Sequence, residues 1–146
     1  MEVSKDFEEF FESLNSNKAR YLVVGGYAFG IHAKPRFTGD MDIFIDSQKD
    51  NAGRILKALN EFGFGGLNVT IDDLTKPDQV IQFGYQPLRI DLLTSISGVT
   101  FSQAWNNKVV GKYGKQSVYF IGKEDLIKNK KASGRKRDLL DLEDLE

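Results

Sequence analysis

Residues 25–46 read GGYAFGIHAKPRFTGDMDIFID: a glycine pair opens the stretch, and Asp40, Asp42 and Asp46 close it on alternate positions. The apolar run YLVV (21–24) before the glycines reads as a short strand, YAFGIHA (27–33) as a short helix, KPRFTG (34–39) as a loop and DMDIFID (40–46) as a second strand. In a strand, side chains at i and i+2 share one face with their Cα atoms about 7 Å apart. Asp40 and Asp42 therefore converge, while Met41, Ile43 and Ile45 supply the opposite, core-facing side. Asp is depleted in strands, and two neighbouring carboxylates repel unless a cation or solvent compensates. Taken alone, a metal site and a wet sheet face explain this pair equally well. Phe44, however, shares the acid-bearing face, so that face is not simply wet.

The glycines have their own logic. Gly25 and Gly26 permit a tight turn after the strand and leave backbone N–H groups uncovered by any Cβ. The helix that comes next points its unpaired donors and positive dipole end at the same place, which favours an anion such as phosphate. No GK[ST] follows the pair, so it is not a P-loop, and G-x-G-x-x-G is absent from this turn.

Outward from this unit, Phe7, Phe10, Phe11 and Leu14 mark an amphipathic helix over about 4–15 with Ser4 as its N-cap. Ser47 with Asp50 resembles a capping box for a helix over about 48–62, whose stripe is Ala52, Ile55, Leu56, Leu59 and Phe62. The segment VTIDDLTKP (69–77) reads as irregular with a strand start, and Asp72-Asp73 as turn and surface charge. QVIQFGY (79–85) and LRIDLLT (88–94) are two strands joined by a Gln86-Pro87 turn, and TFSQAWNN (100–107) is a short helix. A hairpin around Tyr113-Gly114 follows, then two helices broken near Ser133-Gly134, the second with Leu139, Leu142 and Leu145 as an apolar edge for packing on the body. The expectation is one α/β (α+β) domain over 1–146, a mixed sheet flanked by helices, with its core at about 20–121 and a helical segment at about 122–146.

Asp91 is the sole acid of its apolar strand, with Ile90 and Leu92 on the other face. If that strand lies beside residues 40–45, three carboxylates meet on one face, enough to hold two divalent ions roughly 3.5–4 Å apart. The 146 residues hold no Cys and a single His, His32, which excludes thiol catalysis, disulfides and multi-His centres. Any metal sits on carboxylates, which suits Mg²⁺ or Mn²⁺ better than Zn²⁺. A net charge of −1 argues for no whole-chain polyanion affinity, although Lys128, Lys130, Lys131, Arg135, Lys136 and Arg137 form a local basic run that is either a solvated helix face or an attractor for RNA. The start MEVSKDFEEF has no signal-peptide pattern and no run of 18 apolar residues occurs, so no membrane role and a cytoplasmic location are expected. A phosphate cradle and a carboxylate cluster in consecutive segments fit one task, nucleotidyl transfer.

Gly25-Gly26 followed by Asp40-Met41-Asp42 resembles the G-[GS]…[DE]-h-[DE] signature of the DNA polymerase β-type nucleotidyltransferase superfamily, with Asp91 where that superfamily places its third carboxylate. PRFTGDMDIFI resembles the R-x-T-x-D-h-D segment of the bacterial branch containing abortive-infection-type toxins and their small stand-alone relatives, and EDLIKNKKASGRKRDLLDLEDL resembles its closing pattern. The resemblance implies metal binding by Asp40, Asp42 and Asp91, with Asp91 also the general base. It implies nucleotide contacts from Gly25, Gly26, Arg36, Thr38 and Lys130, with Thr38 bracing its loop, and fold-closing contacts from Asp138 and Asp141 to basic side chains. The activity implied is transfer of a nucleoside monophosphate from a nucleoside triphosphate to a hydroxyl on protein, RNA or a small molecule, with Mg²⁺ or Mn²⁺ as cofactor and pyrophosphate as product. The alternatives are a non-catalytic nucleotide- or partner-binding module on the same fold, and a purely structural α/β domain.

Overall fold

The apolar stripe near the N-terminus forms α1 (Lys5–Ser16), whose first turn is capped by the Ser4 hydroxyl accepting from the Phe7 amide at 3.4 Å. The structure is a computed structural model that describes residues 3–36, 38–63, 68–85 and 88–146, with the side chains of Tyr85 and Leu88 excepted. β1 (Tyr21–Val24) runs directly into α2 (Gly25–His32), and β2 (Asp40–Ile45) leads to α3 (Lys49–Phe62). Then come α4 (Ile71–Thr75), β3 (Val80–Tyr85), β4 (Leu88–Leu93), α5 (Phe101–Asn106), β5 (Val109–Tyr113), β6 (Gln116–Phe120), α6 (Lys123–Ser133) and α7 (Lys136–Leu145). The expected Gln86-Pro87 turn lies outside the described residues.

The six strands form one mixed sheet in the order β3-β4-β2-β1-β6-β5. The two tight hairpins, β3–β4 and β5–β6, are antiparallel, as short connections require, and so is β1–β2. The longer connections give the parallel pairs β2–β4 and β1–β6. Register assigns the faces. Met41, Ile90 and Phe83 are successive partners across β2, β4 and β3, and Phe83 meets Phe10 of α1 edge-on at 5.6 Å. The Met41–Ile43–Ile45 side is thus buried beneath α1, which packs on α3. On the other face Phe44 is covered by Phe101 of α5, with ring centroids 5.2 Å apart. Among the described residues, no helix is long and apolar enough to cross a membrane.

Three local expectations are corrected. Residues 71–75 form a helix because Thr70 and Asp73 make a reciprocal capping box: the Thr70 hydroxyl accepts from the Asp73 amide at 3.1 Å and the Asp73 carboxylate from the Thr70 amide at 2.9 Å. Conversely, Ser47 and Asp50 form no box. Gln48 is the N-cap, the Asp46 carboxylate accepts its amide, and Asp50 is drawn to Arg20 at 3.1 Å. In α7, Leu145 is buried but Leu139 is 51% exposed, so that helix does not dock along a leucine edge.

Charge docks α7 instead. Lys130 of α6 is buried, and its ammonium donates to Asp138 at 3.2 Å and Asp141 at 2.9 Å. Arg36, from the loop before β2, grips Asp141 with both terminal nitrogens and lies 3.9 Å from the centre of the Phe29 ring. Arg135 and the Ser133 hydroxyl complete the shell of Asp138. Burial alone would raise Asp138, but hydrogen bonds from Arg135, Ser133 and Lys130 outweigh it and hold this carboxyl at about 2. Asp141 is lowered against its burial by Arg36 and Lys130.

Removing Lys130 takes one charge-assisted hydrogen bond from each carboxylate but leaves Arg36 on Asp141 and Arg135 on Asp138, so Lys130→Met should cost about 1.5–3 kcal/mol in urea unfolding. The unfolded carboxylates ionise near pH ~4, so the stability that Asp138 contributes is present above that value and lost as pH falls towards about 2. Asp138→Asn should flatten this acid limb in a series of melts, and an unchanged limb would show that Asp138 contributes none of it.

Candidate active site

Two registers assemble the acids. Val24 at the end of β1 pairs with Asp42, and β2 lies parallel to β4 with Asp40 opposite Arg89 and Asp42 opposite Asp91. Strands so paired are about 4.8 Å apart, which brings the carboxylate from residue 91 beside the pair on β2, all on the Phe44 face. The sequence places Asp91 here only on condition that the two strands be neighbours, and they are.

Because Val24 stands opposite Asp42, the next residue passes against that side chain. Gly25 has φ +65, and a Cβ there would be driven into the Asp42 carboxylate. The glycine is required twice, by backbone and by space. Gly26 packs on Thr38, where a Cβ would lie 3.2 Å from the side chain. Rather than preceding the helix as a turn, both glycines form its first turn, with Val24 as N-cap and no side chain capping the amides. The start of α2 and the carboxylates therefore share one corner of the sheet. Thr38 braces this corner: its hydroxyl donates to the Asp40 carbonyl at 3.2 Å and accepts from the Asp40 amide at 3.4 Å, and its own carbonyl accepts from the Tyr27 hydroxyl at 3.1 Å.

The acids differ in environment. Asp91 is buried and Asp40 half-exposed. Burial, reinforced by the charges of Asp91 and Asp40, pushes the Asp42 carboxyl up to about 7 despite the nearby guanidinium groups of Arg89 and Arg135. Arg89 spans the other two: Nε and Nη2 donate to the two oxygens of Asp91 at 2.9 and 3.1 Å, and Nη2 also reaches Asp40 at 3.1 Å. Among the described residues, no three acidic or imidazole side chains converge on one cation position. Three carboxylates on one face, with Asp42 raised first by burial and then by the charges of Asp91 and Asp40, are nonetheless the hard oxygen donors that a divalent ion takes.

The remaining candidates sit one layer back. Arg36 and Lys130 are engaged by Asp141 and Asp138, which make the fold-closing contacts expected of them. His32 donates through Nε2 to the Ile121 carbonyl at 2.7 Å, tying α2 to the end of β6. Asp46 serves its turn and Arg20 rather than the site. Two groups escape the sequence reading. Arg89 shares the face of Asp91 two residues away, a signal that period-two alternation carries. Arg135 belongs in the sequence to a basic run, yet it N-caps α7 and its charge acts on Asp42.

No curated protein matches this sequence. Compared with protein families, residues 1–146 match the one described as "Nucleotidyltransferase of unknown function (DUF6036)". With the full length matched, and with a mixed sheet that brings the glycine pair and the three carboxylates to one corner, the chain belongs to that nucleotidyltransferase family.

Proposed function

We propose that the chain binds a nucleoside triphosphate with Mg²⁺ or Mn²⁺ and transfers the nucleoside monophosphate to a hydroxyl on a protein, RNA or small molecule, releasing pyrophosphate. The observation that supports this most is the juxtaposition of Asp42 with Asp91 across β2–β4 and with Gly25 at the start of α2. Asp40, Asp42 and Asp91 would hold the cation, which supplies charge neutralisation for the phosphates and activation of the hydroxyl. The uncapped amides at the start of α2 offer donors to phosphate oxygens beside those carboxylates. Asp91 is the proton acceptor for the incoming hydroxyl, a role that needs Arg89 to leave its two oxygens. Thr38 keeps the strand entry fixed, and Arg36 and Lys130 support the wall behind it through Asp141. Catalysis then rests on positioning and on electrostatic stabilisation. The absence of Cys accords with a reducing cytoplasm, and a toxin-like role in the manner of the abortive-infection branch belongs to the same reading.

Isothermal titration with each nucleoside triphosphate should show Mg²⁺-dependent binding to the wild type and none to the Asp40→Ala/Asp42→Ala double variant. Label from α-³²P-nucleotide should pass to a component of a cell extract with the wild type alone; binding without transfer would favour the non-catalytic module. A second expectation concerns the cation-free protein. Asp42 ionises near 3.8 when unfolded and at about 7 when folded. Its contribution to stability is therefore fully present below about pH 4 and lost as pH rises to about 7. In EDTA, the melting temperature of Asp42→Asn should lack that decline, and parallel curves for the two proteins would contradict the raised Asp42 carboxyl.

A further inference from the structure

Arg89 holds the oxygens on which a divalent cation would depend. Its fork covers both oxygens of Asp91, and one terminal nitrogen is shared with Asp40. A guanidinium and a metal ion cannot occupy the same carboxylate lone pairs. The contact is also not locked inside the core: the Arg89 side chain is 28% exposed, and Asp40 is more exposed still. The backbone of residue 89 stays in place whichever way its side chain turns, because it is fixed in the ladder by an amide donating to the Gly39 carbonyl at 2.9 Å. Arginine on the same face as, and two residues before, a buried carboxylate has a clear electrostatic use. Without it, three acids on one sheet face repel with little compensation.

Resting on the reading of these carboxylates as a cation site, we propose that Arg89 is a built-in counter-ion of that site, which a divalent cation must displace in order to bind. Arg89 stabilises the cation-free protein and in the same act weakens its affinity for a free metal ion. Loading and release of Asp91 for chemistry become one event, since the oxygens that the guanidinium gives up belong chiefly to that residue. A purely structural arginine would have the opposite signature: its loss would disorder the ligands and weaken metal binding.

The test uses Mn²⁺ alone, titrated into the full chain and read by electron paramagnetic resonance of the free ion, with melting temperatures recorded in EDTA and in Mn²⁺. Arg89→Gln should bind Mn²⁺ about tenfold more tightly or better, the scale on which one adjacent unit charge acts on an ionisable group. It should melt lower than wild type in EDTA and recover the difference in Mn²⁺. Arg89→Lys, which keeps the charge without the fork, should lie between, and it carries the test if the glutamine variant does not fold. Unchanged or weaker Mn²⁺ binding in the variants, with binding by the wild type intact, overturns the counter-ion role and leaves the cation site standing. Absence of Mn²⁺ binding in wild type and variants alike overturns both.

Discussion

Like charge on one face of a sheet is the constraint around which this protein is arranged. Asp42 and Asp91 are direct partners across a parallel ladder, and Asp40 is two residues away on the same side. Nothing in the packing of β2 requires this, since Met41, Ile43 and Ile45 bury the other side completely. The strain is met locally, by Arg89 across two of the acids and by a raised affinity of Asp42 for its proton. Gly25 follows from the same constraint. With Asp42 opposite Val24, the next residue has no room for a side chain, and the chain turns into α2 with its amides beside the acids.

Fold and site are separated by the two faces of the sheet. On one, α1 and α3 form a continuous aromatic and aliphatic layer, in which Phe10 meets Phe83 and Phe11 stacks on Tyr21. That layer supplies the hydrophobic stabilisation that lets the opposite face carry clustered charge. The acid-bearing face is itself divided: Phe44 and Phe101 close its inner end, and the carboxylates lie at the end where β1 meets α2. The three carboxylates stand on strands rather than loops. Only side chains such as Arg89 need move within the site.

Much of this is legible in the residues. Alternation in DMDIFI identifies which side chains face the core, and Phe44 already argues that the acid face is covered. Residue spacing does not supply strand adjacency, so the meeting of Asp42 with Asp91 is conditional in the sequence and is decided by the order β4-β2-β1. Capping departs from expectation in both directions: Thr70 stands at the N-cap with Asp73 at N3, whereas the helix after Ser47 takes Gln48 as its N-cap, which puts Asp50 out of register for a box. Asp73 closes on Thr70, whereas Asp50 is claimed by Arg20. The leucines of α7 mislead because hydrophobic spacing alone does not say which stripe docks; Asp138 and Asp141, three apart, mark the face that does.

That docking face explains why Lys130 is buried while the other basic residues of the run, Lys128, Lys131, Arg135, Lys136 and Arg137, stay exposed. Lys130 is turned inside, onto two aspartates of the next helix, and Arg36 reaches from the loop before β2 to one of them. The loop that leads into Asp40 is thereby tied to the last helix of the chain. Arg135 makes the connection electrostatic as well: it holds Asp138 at 2.8 Å while its largely exposed side chain lies within the field of Asp42. The tail is therefore part of the wall of the site, although none of its acids belongs to the carboxylate cluster. A change that loosened α7 would move charge away from Asp42 and slacken the support of the β2 entry together.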